Sequence, residues 1–234
     1  MLLSIIIPAY NEETTIKKII GMVKKVNFPK NVSREIIVIN DASIDRTLEI
    51  LKKQKGIKVF SHKTNSGKGS AVRTGIEKSK GEILVIQDAD LEYDPKYIPL
   101  LLKPILGGKA KVVYGTRLKD FPLKLSGNRK TPLISHFLGN KFLSLVTTLL
   151  YQTNVSDMET GYKMFSRTVV ENIKLHSKRF ELEPEITSKI LKQGIKIHEV
   201  PIRVKPRGYE EGKKITWRDG FIAIWTLIKY RFSN

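Results

Sequence analysis

The sequence predicts an open α/β fold in which a mainly parallel β-sheet is flanked by helices. Short runs rich in Ile and Val alternate with helical patterns through the first half of the chain. These runs are almost continuously apolar, which is typical of parallel strands that are buried on both faces. An alternation of strands and helices at this spacing is typical of doubly wound sheets, whose ligands bind at the carboxyl ends of the strands.

Five strands and one clear helix are predicted in the first half. After the first strand, Ile16, Ile19, Ile20 and Val23 recur at the i, i+3, i+4 and i+7 spacing of one helical face. Asn11 stands where the N-cap of that helix is expected, and acidic residues follow in the first turn. The predicted strands cover residues 3–7, 35–39, 58–60, 83–86 and 111–114.

The second half is less regular. Residues 117–132 contain Gly, Pro and many basic groups, a composition that predicts a mobile loop. The chain has neither an internal repeat nor a low-complexity linker, so a single domain is expected over residues 1–234. The predicted elements are an apolar helix at 133–151, a strand at 161–165, a helix at 183–192, a strand at 197–204 and a C-terminal amphipathic helix at 216–232.

The composition restricts the class of protein. The formal net charge of +19 favours anionic partners, which include nucleic acid, an anionic membrane surface and phosphorylated substrates. The absence of cysteine excludes disulfides, thiolate nucleophiles and cysteine-based zinc sites. Neither a signal peptide nor a run of about 18 apolar residues is found, so a cytoplasmic protein is expected.

The pair of carboxylates at Asp88 and Asp90 predicts a divalent metal site. Both residues follow a buried strand, and residues i and i+2 of an extended chain point the same way, so Glu92 is expected on that side as well. Two such carboxylates can hold Mg²⁺ that takes its remaining ligands from water and phosphates. The alternative is an ordinary turn in which Asp90 or Asp94 caps a helix that begins at Pro95.

Polar residues also follow the first two strands, at the edge where a ligand would bind. Tyr10 can stack on a nucleobase, and Glu12 or Asp41 can accept hydrogen bonds from a base or a ribose. Residues 65–70 resemble a phosphate cradle at the start of a helix. They match neither the Walker pattern nor the dinucleotide fingerprint, which removes the main support for a kinase, an ATPase or a dehydrogenase.

Together, the motifs resemble those of family 2 glycosyltransferases with the GT-A fold, especially dolichol-phosphate mannose synthases and polyprenyl-phosphate glucosyltransferases. The resemblance covers essentially the whole chain in the expected order, and the ordered set is far more specific than any one motif. The matching segments are IIPAYNEE (6–13), VINDASIDRT (38–47), NSGKGSA (65–71), QDADLE (87–92), GTR (115–117), ETGYKMF (159–165) and EVPIR (199–203).

The resemblance implies a GDP- or UDP-sugar donor, with Mg²⁺ or Mn²⁺ bridging its diphosphate. Residues 1–115 would form the nucleotide-binding half and residues 116–234 the acceptor-binding half. The metal would be held by Asp88, Asp90 and Glu92, and this chain has Glu92 where mannose synthases often carry Gln. The donor-binding residues implied are Pro8, Tyr10, Glu12, Asp41, Lys68, Asp88, Ala89 and Asp90.

The basic residues after the metal motif suggest the acceptor. A phosphomonoester has a second pKa near ~6 and is already a nucleophilic oxyanion at neutral pH, so its site needs cations more than a general base. Arginine is suited to a bidentate grip on phosphate. By resemblance, Arg117, Arg129, Arg203 and Lys205 would bind the acceptor phosphate, and Asp90, Arg117 and Arg203 would act in catalysis. The expected reaction is inverting transfer of mannose or glucose to a polyprenyl phosphate.

Three questions remain open at the level of sequence. A sugar hydroxyl would replace the phosphate as acceptor if Asp157 or Glu159 served as general base. A nucleic-acid-binding module also accounts for the charge, but it does not explain a carboxylate pair at a strand end, so no nucleic acid partner is expected. The helices at 133–151 and 216–232 either pack in the core or touch an anionic membrane surface, which would place the protein peripherally at the inner face of the cell membrane.

Overall fold

The computed structural model describes residues 1–118, 134–205 and 217–233. In these ranges the chain forms seven strands and eight α-helices, and a short 3₁₀ turn precedes the fourth helix. The elements are, in order, β1 Leu2–Ala9, α1 Ile16–Lys25, β2 Ser33–Asn40, α2 Thr47–Lys52, β3 Lys58–Ser61, α3 Lys68–Lys78, β4 Ile83–Ile86, α4 Ile98–Leu106, β5 Val112–Thr116, α5 Ile134–Tyr151, β6 Lys163–Ser166, α6 Arg167–Glu171, α7 Leu182–Lys192, β7 Ile197–Pro201 and α8 Trp217–Phe232.

All seven strands belong to one sheet with the order β3-β2-β1-β4-β6-β5-β7. Strand β6 runs antiparallel to both of its neighbours, β4 and β5, and all other pairs are parallel. The predicted mainly parallel α/β fold is therefore confirmed. Because β6 is reversed, its amino end lies at the same edge of the sheet as the carboxyl ends of the other six strands.

Helices cover both faces of the sheet, and alternate residues of β1 show this directly. Ile5 packs in a cluster with the apolar faces of α1 and α4, whereas its neighbour Ile6 packs with α7 on the opposite face. Both side chains are fully buried, as the continuous apolar strands predicted. A third cluster joins α5 to α8 through Leu143, Tyr151 and Leu227.

The start of α1 differs from the prediction. The helix begins at Ile16 after Thr15, and Asn11 lies four residues further upstream with a left-handed φ of 54°. Asn11 instead joins two loops, because its backbone N–H donates to Ser43 Oγ (3.0 Å) and its Oδ1 accepts from the backbone N–H of Ile44 (2.9 Å). The predicted N-cap was therefore wrong, since the asparagine bonds across the sheet edge and not along its own chain.

The long apolar and amphipathic helices of the second half are confirmed as α5 and α8. The short helices α2 and α6 were not predicted, and the predicted strand at 197–204 ends at Pro201. Most of the loop predicted at 117–132 lies outside the described residues. Among the helices that are described, none combines the length and the apolar character needed to cross a membrane.

Candidate active site

The polar motifs meet along one edge of the sheet. They follow the carboxyl ends of β1, β2, β4, β5 and β7, and the segment before β6 reaches the same edge because that strand is reversed. Residues from nearly the whole length of the chain, from Pro8 to Lys205, are brought together in this way. Those that reach this edge from the predicted set are Pro8, Tyr10, Glu12, Asp41, Lys68, Asp88, Ala89, Asp90, Glu92, Arg117, Arg203 and Lys205.

A buried glutamine holds the turn that carries the two aspartates. The side chain of Gln87 is fully buried after β4, and its Nε2 donates to the backbone oxygens of Asp88 (3.1 Å) and Tyr93 (3.0 Å). Its Oε1 accepts a hydrogen bond from the hydroxyl of Tyr162 at 3.1 Å. Because both ends of the turn are bonded to one side chain, the positions of the aspartates are set by the core of the sheet.

The turn corrects the expectation that Asp88, Asp90 and Glu92 alternate along an extended strand. Asp90 Oδ1 accepts a hydrogen bond from the backbone N–H of Glu92 at 3.0 Å, so the chain bends between these residues. In the described ranges no three acidic or histidine side chains converge on a point where they could bind a metal together. Asp94 does cap the following turn, as the alternative proposed, by accepting from Lys96 N at 3.0 Å.

Asp88 lies against a buried lysine and a glycine. Lys68 Nζ is 2.8 Å from Asp88 Oδ1 and 3.1 Å from Glu183 Oε1. Burial lowers the pKa of Lys68, but the charges of Asp88 and Glu183 outweigh this effect and raise the pKa above its usual value. A Cβ atom on Gly161 would lie only 2.4 Å from Asp88 Oδ2, so only glycine allows Asp88 to occupy this position.

A second buried lysine, Lys163, contacts the carboxylate oxygen of Glu183 that Lys68 does not. Lys163 is fully buried, and its ammonium donates to the backbone oxygens of Met158 (3.0 Å) and Thr160 and to Glu183 Oε2. Sequence analysis did not identify Lys163 or Glu183 as parts of the site. A lysine inside an apolar strand was the available signal, since a charge there requires a buried partner.

The phosphate-cradle loop is tied to Asp41. The carboxylate is only 2% exposed, and it accepts hydrogen bonds from the backbone N–H groups of Ser66 (2.9 Å) and Gly67 (2.7 Å). His62 Nδ1 lies 2.6 Å from the same carboxylate. Asp41 therefore orients the loop that precedes α3, and its predicted contact with the nucleoside stays a prediction.

The loop after β1 is fixed by similar side-chain bonds. The backbone N–H of Glu12 donates to Thr47 Oγ1 at the start of α2 (2.8 Å), and Thr15 Oγ1 donates to Glu12 Oε2 (2.6 Å). Tyr10, at the end of β1, is half-buried. This loop and the Asp41 loop are thus both held by side-chain hydrogen bonds at the same edge of the sheet.

Arg117 forms a buried bidentate pair with Asp157. Arg117 Nε is 2.8 Å from Asp157 Oδ2 and its Nη2 is 2.7 Å from Oδ1, and the backbone N–H of Arg117 also donates to Oδ2 at 2.8 Å. Burial lowers the pKa of Arg117, but the Asp157 charge outweighs it and raises the pKa. Asp157 is fully buried in this pair, which weakens its candidacy as a general base.

Two of the predicted phosphate-binding residues lie beside the aspartate turn. The backbone N–H of Lys205 donates to the backbone oxygen of Glu92 at 3.0 Å, and Val204 forms a β-bridge with Tyr93. Arg203 and Lys205 are both exposed. Their segment therefore runs along the turn that carries Asp90. Arg129 lies outside the described residues.

Glu159 is a carboxyl group with an unusual environment. It is half-buried, and its Oε1 is enclosed without a hydrogen-bond partner among the described residues. Burial raises the pKa of Glu159 to about 7, although the nearby charges of Lys163 and Arg117 act in the opposite direction. A carboxyl group whose pKa lies this close to neutrality is suited to accept or donate a proton.

The fold resembles that of solved glycosyltransferases of the GT-A type. A crystal structure of glucosyl-3-phosphoglycerate synthase from Mycobacterium tuberculosis in complex with Mn²⁺, UDP and phosphoglyceric acid superposes with a TM-score of 0.72 at 21% identity, covering 100% of this chain and 79% of that one. The architecture of the sheet, with a cluster of polar residues at its edge, is therefore that of a GT-A fold.

The family follows from sequence comparison. The profile of Glycosyl transferase family 2 matches residues 4–174, and the chain belongs to that family. An uncharacterized protein of Methanocaldococcus jannaschii is 32% identical over 229 residues, which are 96% of this chain and 90% of the relative. The UDP-N-acetylglucosamine–dolichyl-phosphate N-acetylglucosaminyltransferase of Methanococcus voltae is 29% identical over 100% of this chain and 97% of its own length. A low-salt glycan biosynthesis hexosyltransferase of Haloferax volcanii is 29% identical over 99% of this chain and 53% of its own length.

Proposed function

We propose that this glycosyltransferase moves a sugar from a nucleoside diphosphate to a polyprenyl phosphate, with inversion at the anomeric carbon. The observation that carries the proposal is the position of Arg203 and Lys205 along the turn of Asp90 and Glu92. Cations suited to an acceptor phosphate thus lie beside carboxylates suited to a metal diphosphate. Residues 1–115 supply the donor side of this site and residues 116–234 the acceptor side.

The donor is a UDP-sugar carrying a hexose or an N-acetylhexosamine. The relative from Methanococcus voltae is named for a UDP-linked donor, and the one from Haloferax volcanii is named as a hexosyltransferase. Asp88 and Asp90 fit a hard divalent cation that takes its other ligands from the diphosphate, since the described residues bring no third acidic or histidine ligand to them. When bound there, Mg²⁺ or Mn²⁺ supplies positive charge to the departing diphosphate.

The acceptor is a lipid phosphate whose oxygen attacks the anomeric carbon. At neutral pH this oxygen is already ionised, so the reaction requires no general base. Arg203 and Lys205 hold the phosphate, and Arg117 contributes through the part of its guanidinium that does not face Asp157. The dolichyl-phosphate transferase among the relatives supports this class of acceptor.

A second candidate is transfer to a hydroxyl group with Glu159 as general base. The observation that favours it is the raised pKa of about 7, which suits a base at neutral pH. Replacing Glu159 by Gln distinguishes the two candidates. Transfer to a hydroxyl would collapse in this variant, whereas transfer to a phosphate would persist.

The proposal is tested with a detergent-solubilised polyprenyl phosphate, radiolabelled UDP-sugars and Mn²⁺. A labelled lipid that disappears when the metal is chelated is the expected result. Asp88→Asn and Asp90→Asn are expected to lower the rate by about 10²-fold or more, because charge on the leaving diphosphate is no longer offset. Asp94→Asn is the matched control, since the Asp94 carboxylate is bonded to Lys96, through its backbone N–H and its ammonium, in the next turn. Full transfer by the Asp88 and Asp90 variants would refute the metal assignment.

The pair of helices α5 and α8 is proposed to contact the membrane that holds the acceptor. On each helix four exposed apolar residues recur at i, i+4, i+7 and i+11, which places them on one face while the opposite face packs in the third cluster. Exposed basic residues lie on α8 as well, which suits an anionic surface. The four apolar residues are Leu138, Phe142, Leu145 and Leu149 on α5, and Phe221, Trp225, Ile228 and Phe232 on α8, where Ile222 is exposed beside Phe221.

Vesicle sedimentation tests this contact. The protein is expected to sediment with vesicles that contain anionic lipid, and to do so less with purely zwitterionic vesicles. The double variant Phe142→Ser/Trp225→Ser should lose vesicle binding while its activity on a short-chain acceptor persists. Leu100→Ser is the matched control, because Leu100 is 45% exposed on α4, outside this face. Equal sedimentation of both variants would remove α5 and α8 from the contact.

A further inference from the structure

Four charged side chains form a continuous chain behind the proposed metal site. Lys68 lies between Asp88 (2.8 Å) and Glu183 (3.1 Å), and Lys163 contacts the other oxygen of Glu183. The exposed fractions of these side chains range from 0% for Lys163 to 18% for Lys68. Two ammonium groups thus face two carboxylates, and the charges balance within the cluster.

The two lysines differ in how firmly they are held. All three N–H donors of Lys163 are used, on two backbone oxygens and on Glu183, so this ammonium is locked in place. Lys68 is the first residue of α3, directly after Gly67 with its positive φ of 88°, and both of its ion-pair partners are carboxylates. Lys68 is therefore the member of the cluster that can exchange one partner for another without disturbing the core.

A metal ion at Asp88 would compete with this lysine. The ammonium of Lys68 already neutralises the carboxylate, and a divalent cation bound to the same group would lie within a few ångströms of it, where like charges repel. A diphosphate removes the conflict, because its oxygens can accept the ammonium while the metal takes Asp88. Glu183 keeps Lys68 in place during the exchange, since it contacts the ammonium independently of Asp88.

We propose that Lys68 is a resident counter-ion of Asp88 that makes binding of the metal depend on the diphosphate, and that Glu183, backed by Lys163, is the positioning residue for its ammonium. This inference rests on the proposed function, since it concerns the same donor site. The inference adds that the metal and the nucleotide bind together, because the ammonium of Lys68 disfavours binding of the metal alone.

The test measures Mn²⁺ binding from the electron paramagnetic resonance signal of free Mn²⁺, with and without saturating UDP, after correction for the Mn²⁺ that UDP binds in a protein-free solution. In the natural chain UDP is expected to tighten Mn²⁺ binding by about tenfold or more, as for strongly coupled sites. Lys68→Met removes the charge and keeps the length of the side chain. It should bind bare Mn²⁺ more tightly than the natural chain and show little enhancement by UDP.

Matched variants separate this effect from a structural one. Lys63→Met, on the same loop but exposed, should leave both affinities unchanged, and Lys68→Arg should retain the coupling. If Lys68→Met does not fold, the double variant Lys68→Met/Glu183→Gln removes one charge of each sign and carries the same expectation.

Two outcomes overturn the inference in distinguishable ways. Bare Mn²⁺ that binds Lys68→Met no more tightly than the natural chain, with UDP still enhancing it, removes the counter-ion role and leaves the proposed function intact. Failure of the natural chain to bind Mn²⁺ even with UDP removes the proposed metal–diphosphate site, and the inference with it.

Discussion

Gly161 is the position where a single methyl group should disable the donor site. A Cβ atom there would lie 2.4 Å from Asp88 Oδ2, 3.3 Å from Tyr93 Cε2 and 3.4 Å from Lys68 Nζ. Non-bonded carbon contacts are ordinarily about 3.5–4.0 Å, so the Asp88 carboxylate must move by roughly 1 Å. The contact with Asp88 is much the shortest of the three, so the largest displacement is expected at Asp88 itself.

A displacement of this size has a definite expected cost. Misplacing a catalytic group by about 1 Å lowers the rate by roughly 10²-fold, which corresponds to about 2.7 kcal/mol of transition-state stabilisation. Overpacking should also lower the free energy of unfolding by about 1–3 kcal/mol. Gly161→Ala is therefore expected to lose both Mn²⁺–UDP affinity and kcat/KM while it remains folded.

The assay combines calorimetric titration of Mn²⁺–UDP with kcat/KM for transfer, and urea unfolding supplies the stability. Gly21→Ala is the control, because a Cβ at Gly21 in α1 would meet nothing within 4 Å. That variant should keep full activity and gain about 0.5–1 kcal/mol of stability from the helix preference of alanine. Activity and affinity of Gly161→Ala within about threefold of the natural chain would refute the placement of Asp88 as a ligand.

Three further predictions concern the side chains around this site. Arg117→Ala should lower the free energy of unfolding by about 3–5 kcal/mol, because it leaves the charge of Asp157 buried without a partner. Urea unfolding measures this loss, and the double variant Arg117→Met/Asp157→Asn should recover part of it. A loss below about 1 kcal/mol for the single variant would contradict the prediction. The pKa of Glu159 rises on folding from 4.5 to about 7, so the natural chain loses stability as the pH rises through this interval. Glu159→Gln has no carboxyl group to ionise, so it should be more stable than the natural chain by up to about 3 kcal/mol at pH 8 but not at pH 4. Thermal unfolding at both pH values measures this difference. A difference independent of pH would argue against the raised pKa. Asn11 has a left-handed φ of 54°, so Asn11→Ala should be about 1 kcal/mol less stable than Asn11→Gly in urea unfolding, and equal stability would show that the backbone there relaxes.

Most of the fold could be predicted because burial leaves a periodic signal. The apolar runs of β1 and β4 and the spacing from Ile16 to Val23 located the parallel core and its first helix, and the apolar pattern located α5 and α8. The short helices α2 and α6 were missed because five or six residues do not complete enough turns to show a period.

The candidate site could be predicted only in part, and Asp88 and Asn11 show why. The sequence identified the aspartates as site residues because they follow a buried strand, but it assigned them an extended geometry. The turn that replaces this geometry is held by Gln87, directly after β4, and Tyr162, directly before β6. Asn11 was expected to cap its own helix and bonds instead to the loop after β2. In each case the partner is distant in the chain, so no local pattern records it.

By itself the sequence determined the class of fold, the family and the edge of the sheet at which the ligand-binding residues collect. These depend on local periodicity and on motifs whose residues are close together in the chain. Only the tertiary structure decided that Lys68 forms an ion pair with Asp88 and that Glu183 bridges Lys68 and Lys163. It also decided that Asp157 forms an ion pair with Arg117. A buried charge is stable only when it is paired with an opposite charge, and the partner is set by which residues the tertiary structure places next to it.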